Sequence, residues 1–188
     1  MAIQKAQKIE KFSAAPDAEV LGVAMLALPV CLKADEIMPL LKKHGFADID
    51  AEKWYPQQNI VNMYRDIEEG RSNVSESLVA IGIKSVETMQ FPPEINTMHN
   101  VIVAMASSYS TVHRNMRPEE GTWGRFLGDG HAQAIINTPY PADVFYGYYW
   151  GLMKKYKPEG ANFRVAEVEN NDPEYPGTVY DIRWGTNI

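Results

Sequence analysis

The residues with the clearest capacity for chemistry lie in a short segment bounded by glycines in the second half of the chain. Asp129 and His131 stand two positions apart there, on either side of Gly130. A carboxylate and an imidazole placed so closely can bond to each other or bind a metal ion together. Asp-Gly is also the dipeptide most typical of a two-residue hairpin turn. We therefore favour a turn at this position and keep the metal site as the alternative.

Two further histidines, His99 and His113, lie near the two ends of a long predicted helix. They are fourteen positions apart, so about 21 Å separates them along a helix that rises about 1.5 Å per residue. One metal ion cannot bind both. A single neutral histidine on a buried helix can ligate a haem iron, which makes His99 a candidate axial ligand. A polar position on the helix surface is the simpler interpretation.

Aromatic residues are concentrated in another predicted helix, which spans residues 141–155. Gly147 and Gly151 lie four positions apart in it, and small residues at that spacing permit close approach of another backbone or of a flat ligand. Aromatic side chains provide apolar walls with polar tips. Packing in the core or at a dimer interface is the alternative to a ligand-binding wall. The aromatic residues that fall within about one turn are Tyr146, Tyr149 and Trp150.

Several motifs that would name a reaction are absent from the sequence. It contains no serine-hydrolase elbow, no phosphate-binding Gly-Lys-Ser/Thr loop, no dinucleotide-binding glycine triad, no paired-cysteine zinc spacing and no His-Glu-x-x-His. The common enzymes that carry these motifs are therefore disfavoured.

Length and composition predict a single cytoplasmic domain over residues 1–188. The chain is 45% hydrophobic, which suffices for a sizeable core. The single Cys31 cannot form an internal disulfide, and we find neither a secretory signal nor an apolar run long enough to span a membrane. A net charge of −6 without a basic stripe makes nucleic acid and anionic membranes poor partners.

Hydrophobic spacing and capping residues predict a helical first half. Residues 19–32 are apolar, and their periodicity does not distinguish a strand from a helix. The acids that open the next segment and the bases and glycine that close it suit a helix that ends near Gly45. The predicted helices span residues 2–12, 34–45, 56–70, 72–83 and 96–113, with Ser72 or Asn73 and then Asn96 as N-caps of the last two.

The second half changes to short segments of β-type composition separated by Gly, Pro, Asn and Asp. Together with the aromatic helix they give the order strand, strand, helix, strand, strand. The predicted fold class is therefore α+β, with N-terminal helices packed on a C-terminal antiparallel sheet. The predicted strands span residues 122–127, 132–137, 163–169 and 178–184.

The segment from Asn137 to Tyr156, followed by Pro158-Glu-Gly-Ala and Tyr180-Asp-Ile-Arg-Trp184, resembles the C-terminal part of bacterial vinyl-4-reductase-like sensor domains. Those domains belong to a superfamily that also contains the H-NOX haem domains and the TRAPP vesicle-tethering subunits. The resemblance implies the element order given above. It also implies binding of a small hydrophobic molecule, tetrapyrrole or lipid between helices and sheet, usually to sense it and often in a dimer.

Weaker resemblance continues upstream through Trp54-Tyr-Pro-Gln-Gln, Ile81-Gly-Ile and His113-Arg114. Two differences from the family limit what it implies. Many relatives carry cysteines near the last two strands, where this chain has none, so a thiolate metal site is not expected. H-NOX domains pair a haem-ligating histidine with a later Tyr-x-Ser-x-Arg, and the segment that begins at Tyr109 lacks that spacing. We therefore expect that haem is not bound through His99.

These observations predict a non-enzymatic domain that binds or senses a small hydrophobic ligand and signals through a partner protein, with a homodimer as the expected assembly. Haem or another tetrapyrrole is a possible cofactor. One alternative is an enzyme on a tetrapyrrole-like substrate, with His99, His113, Asp129 or His131 as proton donor. The other is a dimeric scaffold without a pocket. The expected ligand-binding residues are Met98, Val101, Ile102, Met105, Tyr109, Tyr146, Tyr149 and Trp150.

Overall fold

The first half of the chain builds helices around a small sheet, in a computed structural model that describes residues 6–31, 34–72, 77–186 and 188. β1 (Glu19–Leu21) lies between β2 (Trp54–Pro56) and β3 (His113–Arg114), antiparallel to both. A 3-10 helix (Gly22–Met25) and α1 (Leu28–Cys31) follow β1. The remaining helices of this half are α2 (Ala34–Lys43), α3 (Gln57–Glu68), α4 (Leu78–Thr88) and α5 (Met98–Val112).

The second half forms a four-stranded antiparallel sheet crossed by one helix. Its strands lie in the spatial order β4, β5, β7, β6. The predicted α+β class and the order strand, strand, helix, strand, strand are confirmed. The elements are β4 (Gly121–Gly128), β5 (His131–Asn137), α6 (Ala142–Tyr156), β6 (Asn162–Val168) and β7 (Thr178–Gly185).

The helix predicted over residues 2–12 is wrong for the part that is described, because residues 6–12 contain no helix. Tertiary hydrogen bonds hold this segment against the end of β5 instead. The backbone N–H of Ile9 donates to the side chain of Asn137 at 2.8 Å, and that of Phe12 donates to the carbonyl of Pro139 at 2.8 Å. Both Ile9 and Phe12 are buried, so tertiary contacts override the local helical pattern.

The other helices follow the predictions with shifted ends. The described part of the segment 19–32, residues 19–31, contains both a strand and short helices, which explains why its periodicity favoured neither. α4 begins later than predicted, and the side chain of Ser77 accepts a hydrogen bond from its first turn. Ser72 does not cap it, and the other predicted cap, Asn73, lies outside the described residues. Within the described part of the chain, no helix combines the length and apolar composition that a membrane crossing requires.

The buried residues form two apolar clusters, one in each half. The helical core is formed by α1 to α4 with β1 and β2, and it includes Met25, Leu41, Val61 and Ile81. The sheet core lies between the four-stranded sheet and helices α5 and α6, and it includes Met98, Ile102, Tyr149 and Ile182. Tyr140 and Val144 pack against the helical core from the second half of the chain.

Helices α4 and α6 cross at backbone contact, and glycines make this possible. A Cβ at Gly147 would overlap the carbonyl oxygen of Val79, and a Cβ at Gly82 would overlap that of Val144. The close approach predicted for the glycine pair of the aromatic helix is therefore made by another helix of the same chain. Gly151 is less crowded, since its added Cβ would lie 3.1 Å from Val86 Cβ and 3.2 Å from the carbonyl oxygen of Ile83.

We predict that Gly147→Ala destabilises the protein by about 1–3 kcal/mol, the usual cost of overpacking. Gly151→Ala is the matched control, because both changes gain the same helix propensity of about 1 kcal/mol and only the first added Cβ would overlap a backbone atom outright. Urea unfolding of the two variants measures the difference. A Gly147→Ala protein at least as stable as the wild type would contradict this account of the crossing.

Candidate ligand-binding site

The inward face of α5 carries five of the expected ligand-binding residues. All five are buried, at 7% exposure or less. All of them except Tyr109 pack with the sheet and α6 in the sheet core. Gly124 of β4 gives this face room, because a Cβ there would lie 2.6 Å from Ile102 Cγ2 and 3.1 Å from Met105 Sδ. The five residues are Met98, Val101, Ile102, Met105 and Tyr109.

The three expected residues of α6 are less uniform. Tyr149 is buried in the sheet core, and its ring centroid lies 5.6 Å from that of Tyr180. Tyr146 packs at the edge of that core, 6.2 Å from the same tyrosine. Trp150 packs on Phe163 of β6, with ring centroids 5.4 Å apart. The structure thus brings Tyr149 to the same core as α5 and leaves Tyr146 and Trp150 partly exposed.

The buried face of α5 ends in a polar cluster, which we call the glutamate cluster: Gln57, Tyr109, His113, Glu120 and Tyr140. The hydroxyl of Tyr109 donates to Glu120 Oε1 at 2.7 Å. The amide nitrogen of Gln57 donates to the same oxygen at 2.7 Å and to the Tyr109 hydroxyl at 3.3 Å. Gln57 is 0% and Glu120 6% exposed, so these bonds form away from solvent.

The ends of three secondary-structure elements place Gln57, Tyr109 and Glu120 next to one another. Gln57 is the first residue of α3, directly after β2, and its backbone N–H donates to the carbonyl of Ala18 at 2.8 Å. Glu120 immediately precedes β4, where its N–H donates to the carbonyl of Arg117 at 3.0 Å. Tyr109 lies in the last turn of α5. The cluster therefore joins helices of the first half to the start of the large sheet.

His113 and Tyr140 close the other side of the glutamate cluster. His113 Nδ1 lies 3.0 Å from the carbonyl oxygen of Tyr109 and Nε2 lies 2.8 Å from the Tyr140 hydroxyl. Because a carbonyl can only accept, Nδ1 carries the proton and Nε2 accepts from the tyrosine. The imidazole stacks on the ring of Tyr109 with centroids 3.9 Å apart. Burial lowers the pKa of His113 to about 4, so the ring is neutral at physiological pH.

Burial also governs the two acidic groups that share the central hydrogen bond. It raises the pKa of Glu120, while the hydrogen bonds from Gln57 and Tyr109 and the charge of Arg117 act in the opposite direction. It raises the pKa of Tyr109 well above its usual value, with smaller contributions from Tyr140 and Glu120. The tyrosine thus remains a neutral donor, and the carboxyl group is the titratable group of this pair.

Two acceptor atoms of the glutamate cluster have no hydrogen-bond donor among the described residues. They are Gln57 Oε1 and Glu120 Oε2, both removed from solvent. The side-chain hydroxyl of Thr138 is also buried and has no hydrogen-bond partner among the described residues. Leaving such a group unsatisfied costs about 1–3 kcal/mol, and more when it is charged. The cluster is therefore suited to accept hydrogen bonds from a bound molecule.

A surface pocket of about 230 Å³ borders the glutamate cluster through Tyr140. A second, of about 340 Å³, shares three lining residues with it and has acidic residues in its wall. The first is lined by Lys8, Ile9, Lys11, Ile136, Asn137, Thr138, Tyr140, Ala142, Gly177 and Thr178. Tyr140 thus faces both an open pocket and a buried histidine.

The alternative considered for Asp129 and His131, a direct bond between them or a shared metal ion, is not what the structure shows. Asp129 lies in the turn between β4 and β5, as favoured from the sequence. His131 Nε2 lies 2.6 Å from Asp181 Oδ1 on the neighbouring strand, and Arg183 donates to the other oxygen of that aspartate at 2.8 Å. Among the described residues, no group of three or more His, Cys, Asp or Glu side chains is arranged to hold a metal ion.

His99 lies on the exposed side of α5. Its ring stacks on Phe126 of β4, with centroids 4.5 Å apart and planes inclined by 14°. The simpler interpretation, a polar position on the helix surface, is the one that the structure shows. His99 and the buried face that carries Met105 thus lie on different sides of the same helix.

Sequence reasoning missed Gln57, Glu120 and Tyr140 as site residues. Gln57 and Tyr140 do lie in segments that carry the family resemblance, and this was the available signal. Glu120 follows Arg117-Pro-Glu, where a carboxylate is typical of a solvated turn. Its partner Gln57 lies 63 positions away in the sequence, and no periodicity links the two.

Comparison with known proteins locates the fold but not a family. No protein-family model matches the chain, and no curated protein matches its sequence. Solved structures do match. A T. Tengcongensis H-NOX mutant aligns over 87% of this chain and 94% of its own, with a TM-score of 0.61 and 16% identity. A Cs H-NOX mutant aligns over 87% and 93%, with a TM-score of 0.62 and 16% identity.

A third match is an oxygen-binding H-NOX domain described as related to soluble guanylate cyclases. It aligns over 87% of this chain and 90% of its own, with a TM-score of 0.62 and 16% identity. The class defined by the architecture is therefore an α+β domain with helices against an antiparallel sheet. More narrowly, this chain has an H-NOX-like fold, as the resemblance implied.

We predict that protonation of His113 lowers stability between about pH 6.5 and pH 4. The unfolded chain binds this proton near pH 6.5 and the folded protein only near 4, so protons favour the unfolded state across that interval. The free energy of unfolding should fall by about 2 kcal/mol between about pH 7.5 and pH 5 through this residue alone.

Urea unfolding of the wild type, His113→Gln and His99→Gln at the two pH values measures the contribution. The exposed control His99→Gln should lose stability like the wild type on acidification, and His113→Gln should lose about 2 kcal/mol less. Equal losses in all three proteins would mean that His113 is not held neutral by burial.

Proposed function

We propose that this chain is a single cytoplasmic domain that binds, and thereby senses, a small hydrophobic ligand without catalysing a reaction. The observation that carries the proposal is the pair of buried, unpartnered acceptors Gln57 Oε1 and Glu120 Oε2, beside Tyr109 at the end of the apolar face of α5. An apolar wall with a few oriented polar groups is the usual composition of a small-molecule site.

In this proposal the apolar body of the ligand lies along α5 and its polar end reaches the glutamate cluster. The wall is rich in methionine, with Met98 and Met105 on α5 and Met153 on α6. Methionine side chains are flexible and fill irregular spaces, so they can rearrange around a guest. A slender lipid-like molecule fits this arrangement more easily than a broad tetrapyrrole, because the sheet core is closely packed in the present conformation.

Sensing follows from the position of the glutamate cluster between the two halves of the chain. Gln57 belongs to α3, and Glu120 leads directly into β4. A ligand that bonds to these groups in one arrangement of the two cores and not in another shifts the equilibrium between them. We propose that a partner protein reads this difference.

The histidines do not fit a haem ligated in the sheet core. One structural neighbour was determined for work on heme redox potential and porphyrin distortion. Haem is for that reason the first cofactor to compare with the residues of this chain. His113 uses both ring nitrogens, His44 and His131 each bond an aspartate, and His99 lies on the surface. We therefore propose a ligand that is not a histidine-ligated haem.

The two alternatives differ in their support. An enzyme would need His99, His113, Asp129 or His131 as proton donor near a common substrate, but among the described residues no hydrogen bond joins any two of them, and His113 is neutral and fully bonded. The scaffold is favoured by one observation, the close packing of the sheet core. Its distinguishing property is that no apolar probe binds inside.

Substitution of Met105, which is 6% exposed, by Trp separates the ligand-binding proposal from the scaffold. We expect the wild type to bind Nile red, a neutral apolar dye, saturably, and Met105→Trp to weaken that binding by about tenfold or more, equivalent to about 1.4 kcal/mol, because the indole fills the space of the ligand. Val103 lies on the same helix and is 65% exposed, so Val103→Trp is the control and should bind like the wild type.

Fluorescence titration gives the affinities, and urea unfolding shows whether each variant is folded. A wild-type protein that binds no dye, combined with a Met105→Trp variant that is only destabilised, would contradict the ligand-binding proposal and favour the scaffold.

We also propose that the chain forms a homodimer. No charged residue occurs between Met98 and Val112, and Val103 is exposed on this helix near the surface stack of His99 and Phe126. An uncharged surface with exposed apolar side chains suits self-association of a chain whose net charge is −6, because like charges oppose contact elsewhere.

Light scattering at micromolar concentration should give about twice the 21.2 kDa mass of the chain. Val103→Glu should halve that mass, since it places a charge on the proposed interface. Val30→Glu is the control, because Val30 is 66% exposed and lies in the other half of the chain. A wild-type mass of 21.2 kDa would rule out the dimer.

A further inference from the structure

The unpartnered atoms of the glutamate cluster specify the kind of group that completes it. Both Gln57 Oε1 and Glu120 Oε2 are acceptors, and their opposite ends are joined by the 2.7 Å bond from the Gln57 amide nitrogen to Glu120 Oε1. The two free acceptors thus belong to neighbouring groups. Each of them lacks a donor that a bound group would have to supply.

The orientation of the Gln57 amide is fixed by the carboxylate. Its nitrogen donates to Glu120 Oε1 and to the Tyr109 hydroxyl. Turning the amide over would place its oxygen against the carboxylate oxygen, and two acceptors without a proton between them repel. As long as Glu120 is ionised, the Gln57 oxygen therefore cannot replace the amide nitrogen beside Glu120 Oε1, and it remains available to another donor.

The charge of Glu120 has no cation in direct hydrogen-bond contact among the described residues. Its two donors, Tyr109 and Gln57, are neutral. The charge of Arg117 lowers the pKa of Glu120, but its guanidinium donates to the carbonyls of Ser13 at 2.7 Å and Ala14 at 3.4 Å. A buried carboxylate is stable only when paired or well hydrogen-bonded, so a cationic donor is the group that satisfies both needs.

We infer that the polar end of the ligand is a protonated primary amine whose N–H groups donate to Glu120 Oε2 and Gln57 Oε1. This inference rests on the proposed function and names the chemical class of its ligand. A hydroxyl group has one proton and leaves one acceptor unserved, while a carboxylate would be repelled. An ammonium has three donors and a positive charge that offsets the charge of Glu120.

The probes are hexylamine and 1-hexanol, which have the same chain and differ in charge and in number of donors. Each displaces Nile red from the wild-type protein at constant ionic strength, and we expect hexylamine to bind at least about tenfold more tightly. Hexyltrimethylammonium keeps the charge without any N–H donor and should bind no better than the alcohol. This comparison needs no variant and so remains decisive if a substitution prevents folding.

Glu120→Gln keeps the shape of the side chain and should abolish the preference for hexylamine over 1-hexanol. Glu119→Gln is the matched control, since it removes the same formal charge from the neighbouring residue and should retain the preference. A preference that survives Glu120→Gln would overturn the inference, as would an equal response to potassium chloride alone or to hexyltrimethylammonium.

The outcomes separate the inference from the function on which it rests. If Nile red binds and the amine and the alcohol compete equally, the apolar site stands and the amine is wrong. If Nile red binds and neither compound displaces it, the amine is again wrong. If neither Nile red nor either compound binds, the proposed function fails, and the inference fails with it.

Discussion

The two hydrogen bonds that Glu120 accepts, one from Gln57 and one from Tyr109, are the constraint on which the arrangement of the two cores depends. Apolar packing is tolerant of small displacements, because contacts of similar energy replace one another. A buried carboxyl group is not, since each lost donor leaves a polar atom unsatisfied at a cost of about 1–3 kcal/mol or more. One donor belongs to α3 and the other to α5, and each lies 2.7 Å from Glu120 Oε1. Glu120 therefore fixes where β4 begins relative to both helices.

The crossing of α4 and α6 is a second constraint of a different kind. Its tolerance is set by backbone atoms, because Gly82 and Gly147 place the two helices in direct contact. α4 contributes Leu78 and Ile81 to the helical core and Val86 to the sheet core. One helix pair at close range therefore connects the same two cores that the glutamate cluster joins by hydrogen bonds.

The parts of the fold that the sequence predicted are those with local signals. The strands of the large sheet have β-type composition and are separated by turn residues. α2 has acids at its start and bases at its end, and α6 begins after Pro141. Residues 6–12 were predicted wrongly, because their structure depends on Asn137 and Pro139, more than a hundred positions away. A pattern within a dozen residues contains no information about such a partner.

The candidate site also has parts with local sequence signals and parts that depend on distant residues. The apolar face from Met98 to Tyr109 follows from helical spacing, and the turn at Asp129 follows from its dipeptide. Glu120 and Gln57 could not be paired in advance, and neither could His131 and Asp181, which lie fifty positions apart. Polar side chains bond to groups that are near in the folded structure, which are often far away in the sequence. The hydrogen bonds that define a site are therefore the hardest feature to predict from sequence.

A shared fold at 16% identity leaves the interior chemistry free to differ, and here the polar residues decide what the interior can bind. An imidazole with both nitrogens engaged, as in His113, offers no lone pair to a metal, whereas an amide oxygen and a carboxylate oxygen without donors attract N–H groups. A ligand that supplies these donors removes the penalty for two unsatisfied acceptors. In the proposed sensing function, that gain would exist only in the arrangement that brings α3, α5 and the start of β4 together, and this would supply the difference in free energy between two states that sensing requires.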